Sequence, residues 1–242
     1  MYAICRSYNN PKIVGLLESL RSLPEINGLI VPVNSDRDGA PSGTSGFSTR
    51  AYLQETSGFE NLKCLPIPDQ DYGWSKALNV ALAHVPPRET YVLIISTEIR
   101  LTSVQFTGMC AAAAPPSASC GYVLFQDREE TCFQFPRNTC LVWKLSLLKS
   151  IVKNGIIFDE LLDSRSGMED VELALRLMEQ SDVVPMLGAR DVRLEARTTA
   201  SEFARKVAAE NQAIEEIFER FPAETVERFR HHIRAENQKR LM

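Results

Sequence analysis

Two short acidic segments carry the clearest capacity for chemistry in this sequence. The first ends the apolar run Tyr91 to Ile95 with Ser96, Thr97 and Glu98. Side chains alternate across an extended segment, so Ser96 and Glu98 face the same cleft. Glu98 offers oxygen to a hard divalent cation, whereas neutral Ser96 suits a water or a ribose hydroxyl. A polar strand end with no ligand fits the same residues. The second segment, Ser166-Gly-Met-Glu-Asp170, opens an apolar-periodic stretch. A helix start stabilises anions by about 0.3–1 kcal/mol, which alone accounts for acids there. In the functional reading, Asp170 or Glu169 accepts a proton from a substrate hydroxyl. Glu172 and Arg176 have the spacing of an exposed i, i+4 pair.

These segments need elements to position them. Residues 2–6 read as a strand, and Asn10-Pro11 opens a helix with Ile13, Leu16, Leu17 and Leu20 on one face. Strands follow at 28–33 and 62–67, separated by the Gly/Ser/Asp-rich loop Asn34 to Gly46. Residues 73–85 form a helix with Trp74, Leu78 and Leu82 along one side, ended by Pro86-Pro87, and a strand occupies 90–95. The βαβαβαβ order predicts an α/β fold with a mostly parallel sheet and helices on both faces. Beyond it the pattern gives a helix near 102–113, strands at 120–126 and 140–144, and a helix through about 152. A further helix starts near 169, followed by two short strands, Asp182 to Leu187 and Arg190 to Leu194. Thr199 and Glu202 match a capping box, from which Phe203, Val207, Ile214, Ile217, Phe218 and Phe221 mark one long amphipathic helix before a basic, polar tail.

Composition narrows the function classes. With 44% hydrophobic and 24% charged residues the chain reads as globular, and a net charge of −4 argues against nucleic acid as the main partner. No segment has the form of a secretory signal or a spanning helix, and six cysteines without metal spacing read as reduced, packed thiols of a cytoplasmic protein. In an open α/β sheet, ligands bind beyond the carboxyl ends of the strands. The residues to weigh there are Arg6 to Asn9, Asn34 to Asp36, Asp69 to Gly73 and Ser96 to Glu98.

The order of these segments resembles the GT-A-fold nucleotide-sugar glycosyltransferases, especially family 2, over roughly residues 2–200. "ICRSYNNPKIVGLLESL" is similar to the opening strand and helix of that family, which implies that Arg6, Tyr8 and Asn9 line the nucleotide. "LIVPVNSDRDG" resembles the second strand with its acidic end, matched by Asp36 or Asn34. "DYGWSKALNVALAHV" resembles the helix carrying Gly and Ala-Arg-Asn, with Gly73, Ala77 and Asn79 in place and Leu78 where the family has Arg. Ser96-Thr97-Glu98 falls where the family has Asp-x-Asp, and "NGIIFDELL" matches the acceptor-side Gly-Phe-Asp-Glu segment. "MEDVELALRL" matches the Glu-Asp segment whose Asp is the base of inverting members.

The resemblance implies a domain over 1–198, with a nucleotide-sugar half (1–100), an acceptor half (101–198) and a helical extension at 199–242. It implies transfer from a nucleoside-diphosphate sugar to a glycan or small-molecule hydroxyl, with inversion and with Asp170 as base. Glu169 would orient the site or bind acceptor, and Arg6, Tyr8, Asn9, Asn34, Asp36, Gly73, Lys76, Asn79 and Ser96 would meet the donor. The family's metal-ligand His is missing from "DVRLEARTT". Glu195 could complete a Mn²⁺ or Mg²⁺ site with Glu98, or Arg197 and Lys76 could neutralise the diphosphate without metal. The C-terminal helix is also a surface for self-association or for contact with an anionic membrane surface. The altered Asp-x-Asp supports an alternative from another class, a degenerate GT-A module that binds nucleotide, glycan or protein without turnover.

Overall fold

A computed structural model describes residues 1–7, 10–35, 47–56, 58–97, 99–116, 118–126, 140–152, 156–162, 168–180, 184–195 and 212–238. Seven strands are defined: β1 (Tyr2–Arg6), β2 (Gly28–Asn34), β3 (Asn61–Ile67), β4 (Tyr91–Ser96), β5 (Ala118–Gln126), β6 (Cys140–Lys144) and β7 (Val184–Glu195). The helices are α1 (Ile13–Arg21), α2 (Thr49–Thr56), α3 (Trp74–Ala83), α4 (Ser103–Ala113), α5 (Leu145–Ser150), α6 (Glu169–Gln180), α7 (including 212–218) and α8 (Ala223–Gln238).

One sheet runs in the order β3-β2-β1-β4-β6-β5-β7. All neighbours are parallel except β6, which is antiparallel to both β4 and β5. The near-continuous apolar runs of β1, β2 and β4 follow from this placement, because a central parallel strand is covered on both faces. Alternation then divides the core in two. Ala3, Cys5, Val31, Leu93 and Ile95 face α1, α2 and α4. Ile4, Ile30, Val92, Ile94, Leu141 and Trp143 face α3 and α5–α8. The result is the expected α/β arrangement with helices on both faces.

Several local expectations change. The two short strands expected between Asp182 and Leu194 are one strand, β7, because pairing with β5 continues past a register shift opposite Tyr122 and Leu124. Helix α2 was hidden in a stretch of low mean hydropathy; its Leu53 is buried in the core. Trp74 does not share the buried side of α3 with Leu78 and Leu82, but is 39% exposed. The C-terminal helix is broken by a turn at residues 219–220 and Pro222, and the tail beyond it is not merely polar. Val226, Phe229 and Ile233 of α8 are buried in the same core as α6, Ile214 and Phe218. The capping box at Thr199 and Glu202 lies outside the described residues.

Two glycines record close approach. A Cβ on Gly121 would stand 1.9 Å from the Met109 carbonyl oxygen, so β5 lies directly against the α4 backbone. A Cβ on Gly15 would meet the Arg100 guanidinium at 2.5 Å.

Candidate active site at the carboxyl edge of the sheet

The chain leaves β1 for β2 on one side of it and later enters β4 on the other, so the strand order reverses between β1 and β4. That reversal opens a crevice at the carboxyl ends of the two strands, the place where open α/β sheets bind ligands. Arg6 and Ser96 are paired in register at this end. Asn34 closes β2 next door, buried, with its Nδ2 donating to Asp69 Oδ1 at 2.7 Å.

The surrounding backbone is pinned from several directions. Ser7 N–H donates to the Pro32 carbonyl at 3.1 Å, and its buried hydroxyl lies 2.8 Å from that of Thr49 at the start of α2. The Tyr72 hydroxyl lies 3.2 Å from the carbonyl oxygens of both Ser7 and Pro32. This anchors the Asp69–Asp71 turn and Gly73, the residue preceding α3, above the ends of β1 and β2. Arg100 donates to the Thr97 and Ile99 carbonyls and, across the Gly15 notch, to the Lys12 carbonyl at 2.7 Å. The loop carrying Ser96 and Thr97 is thereby fastened to the start of α1.

Of the residues expected to meet a donor, Arg6, Asn34, Gly73 and Ser96 belong to this edge. The Arg6 guanidinium stacks on Trp74, 3.0 Å from its ring centroid. Lys76, one turn into α3, pairs with Asp71 at 2.6 Å, both side chains about 40% exposed. Asn79 has a different task. Its Oδ1 accepts from the Ile157 and Phe158 N–H groups, and its Nδ2 donates to the Phe158 carbonyl and Glu160. The amide is fully engaged in holding residues 157–160 against α3, so its contribution is to position that segment. Tyr8, Asn9, Asp36 and Glu98 lie outside the described residues.

Residues 157–160 are held from two further sides. Arg176 donates to the Ile151 and Ile157 carbonyls and pairs with Glu172 at 2.8 Å. This pair is not the exposed one expected from spacing: Glu172 and Arg176 are 5% and 9% exposed, because α7 and α8 cover α6. Burial pushes the Glu172 carboxyl above the ordinary glutamate range, against the opposing pull of Arg176. Asp159 pairs with Arg220 at 2.5 Å. Burial alone would raise the Asp159 carboxyl, but the Arg220 and Leu161 hydrogen bonds and the nearby cations outweigh it and hold it low.

Glu169 and Asp170 open α6, 4% and 1% exposed, and the Val171 N–H donates to Asp170 Oδ1 at 2.9 Å. Met168, just before them, has φ 79°. A left-handed conformation costs a non-glycine residue about 1–2 kcal/mol. The buried Met168 side chain in the core offsets that cost and fixes the direction in which the two acids leave the loop. Burial first, and the charge of Asp170 second, raise the Cys120 thiol well above its ordinary value. Cys5 and Cys140 are also buried thiols, pushed up to about 12 by burial.

The residues described here do not assemble a metal site. No group of three His, Cys, Asp or Glu side chains able to hold an ion occurs among the described residues, and Ser96 supplies no carboxylate. Glu195 ends β7 at the same sheet edge, three strands from β4.

No protein-family model and no curated protein sequence matches the chain. Solved structures do. TarS residues 1–349 of S. aureus align with TM-score 0.58 at 17% identity, over 90% of this chain and 71% of that one. The same fragment in complex with UDP-GlcNAc gives TM-score 0.58 at 15% identity, over 90% and 72%. The chain has a GT-A fold. Mannosyl-3-phosphoglycerate synthase of Rubrobacter xylanophilus (0.51, 15%, over 90% and 74%) and 4-diphosphocytidyl-2C-methyl-D-erythritol synthase of Anaerococcus prevotii DSM 20548 (0.55, 11%, over 87% and 95%) share this GT-A-like architecture. Among the described residues no helix is long and apolar enough to cross a membrane.

Sequence reasoning placed Asp69 and Tyr72 in the strand-end stretch Asp69 to Gly73 without assigning them a role, and missed Trp74, Arg100 and Arg220 as parts of the site. The only available signal was the Asp-Tyr-Gly-Trp run, which concentrates aromatics at a helix start, where an all-core reading was least secure.

Proposed function

We propose that the chain is a glycosyltransferase that moves a sugar from a nucleoside-diphosphate sugar to an acceptor hydroxyl. The observation that carries this reading is the Arg6–Ser96 rung at the reversal of strand order, a cationic and a hydroxyl side chain at the crevice where this fold receives ligands. Arg6 would meet the diphosphate and stabilise its departure, and Ser96 would take a donor hydroxyl. Tyr8, Asn9, Asn34, Asp36 and Gly73 complete the proposed donor contacts. Lys76 would reach the diphosphate on exchanging Asp71 for it. Asp170 would take the acceptor proton as the hydroxyl attacks the anomeric carbon from the face opposite the diphosphate, with inversion, and Glu169 would orient the acceptor. A divalent cation on Glu98 would add charge neutralisation at the diphosphate.

The burial of Asp170 favours a second reading, a module that binds nucleotide without turnover, because a base that an acceptor cannot reach does no chemistry. A thermal-shift panel of UDP, GDP, CMP and dTDP sugars, with and without Mn²⁺, tests donor binding. Stabilisation by one nucleotide supports the donor site; a flat panel overturns it. Turnover then separates the two readings, since only the transferase releases the nucleoside diphosphate when acceptor is supplied.

A further inference from the structure

Among the described residues, Trp74 is the one large aromatic at this edge that burial does not explain. It sits in the first turn of α3, two residues after Tyr72, whose hydroxyl contacts with the Ser7 and Pro32 carbonyls fix this corner over the ends of β1 and β2. The Arg6 guanidinium covers one face of the indole at 3.0 Å from the centroid, yet the residue remains 39% exposed. Exposing this much of a tryptophan has a hydration cost, and a cation–π contact at an exposed site returns only about 0.5–1 kcal/mol. The pairing does, however, hold the ring at one angle. A flat, half-exposed indole held by Arg6 at the carboxyl ends of the strands has the form of a stacking platform.

We infer that Trp74, held by Arg6, is the platform on which the donor's nucleobase stacks. This deepens the donor reading above and rests on it. A nucleobase is favoured over a sugar ring because Arg6 ties the platform to the residue proposed to meet the diphosphate. A base stacked on Trp74 and a diphosphate at Arg6 would thus be parts of one ligand. Every base has a π-face, so stacking supplies affinity without choosing the base.

The chain has two tryptophans, Trp74 and fully buried Trp143, so Trp74 can be observed alone. In a Trp143→Phe background, UDP, GDP or CDP is expected to quench Trp74 emission on binding, and inorganic pyrophosphate is not. Should that background fail to fold, acrylamide quenching of the wild-type chain isolates the exposed indole, and bound nucleotide should protect it. Trp74→Ala should raise the nucleotide Kd roughly ten- to hundredfold, Trp74→Tyr should recover most of the loss, and pyrophosphate affinity should not move. The platform is overturned if nucleotide binds by calorimetry with unchanged Trp74 emission and Trp74→Ala binds within twofold of wild type. Sugar transfer with a native donor KM in Trp74→Ala would likewise remove the platform and leave the transferase. Nucleotide quenching without any turnover would keep the platform and remove the transferase. Binding of none of the three nucleotides overturns both.

Discussion

Arg6 and Ser96 are partners on the last rung of the β1–β4 ladder. Neither neighbours the other in sequence, and each is the residue at which an apolar strand ends. Their meeting is a consequence of topology: the chain lays β2 and β3 on one side of β1 and β4 on the other. The account therefore predicts that Arg6→Ala weakens nucleoside-diphosphate binding by about 2 kcal/mol, roughly thirtyfold in Kd, as expected for loss of a charge-assisted contact. Titration calorimetry at two salt concentrations checks it, with the larger loss at low salt. An unchanged Kd would remove Arg6 from the donor site.

Asn79 joins α3 to residues 157–160 through four hydrogen bonds. Asn79→Ala leaves the Ile157 and Phe158 N–H groups and the Phe158 carbonyl without this partner, and should cost about 2–3 kcal/mol in urea unfolding. If the segment shapes the acceptor side, acceptor KM should rise while donor affinity holds.

The two acids around this segment respond to pH with opposite signs. Asp159 titrates below the ordinary aspartate range in the folded chain, so between its folded and unfolded values the unfolded state binds more protons. Its contribution is present above about pH 4 and is lost as pH falls through the folded value. Glu172 is raised, so its contribution is fully present below about pH 4.3 and declines as pH climbs through the folded value. Urea midpoints between pH 3 and 7 should show Asp159→Asn flattening the acid limb and Glu172→Gln removing the decline above it. Equal slopes in all three proteins would contradict the assignment.

Gly121 and Gly15 are both crowded, and the outcome of substitution turns on what crowds them. At Gly121 the obstacle is backbone, so Gly121→Ala should cost about 3 kcal/mol or more, the upper end for overpacking. At Gly15 the obstacle is the Arg100 side chain, which can swing away. Gly15→Ala should cost about 1 kcal/mol or less and instead loosen the Ser96–Thr97 loop, raising donor KM. Thermal melts and donor kinetics on the two variants distinguish the cases.

The metal expectation is tested by removal. If Glu98 holds Mn²⁺ or Mg²⁺, EDTA should abolish transfer, Mn²⁺ should restore it, and Glu98→Gln should behave as the EDTA-treated chain does. Full activity in EDTA would assign the diphosphate to the cations alone.

The sheet was legible because central parallel strands leave long apolar runs, and β1, β2 and β4 have little else in them. The helices α1 and α3 were legible from their apolar period and from the prolines that open the first and end the second. What sequence could not show was decided by tertiary cover. Glu172 and Arg176 have the spacing of an exposed pair, and it is tertiary packing around α6, with Arg176 bound to the Ile151 and Ile157 carbonyls, that buries them. Helix α2 has little apolar signal beyond Leu53, and β7 reads as two pieces because its register shift is set by β5. At the site, Arg6 and Ser96 could be named from their strand ends. The work of Asn79 could not, since its four partners are some 80 residues away, and Trp74 was read as core because period alone does not show which way a first turn faces.

The central claim is transfer with Asp170 as the base, and the most direct measurement is nucleoside-diphosphate release by Asp170→Asn in the presence of donor and acceptor. The account predicts unchanged donor affinity, because Asp170 is assigned to the acceptor proton and not to the donor, with turnover lost. Near-native turnover by Asp170→Asn would contradict it.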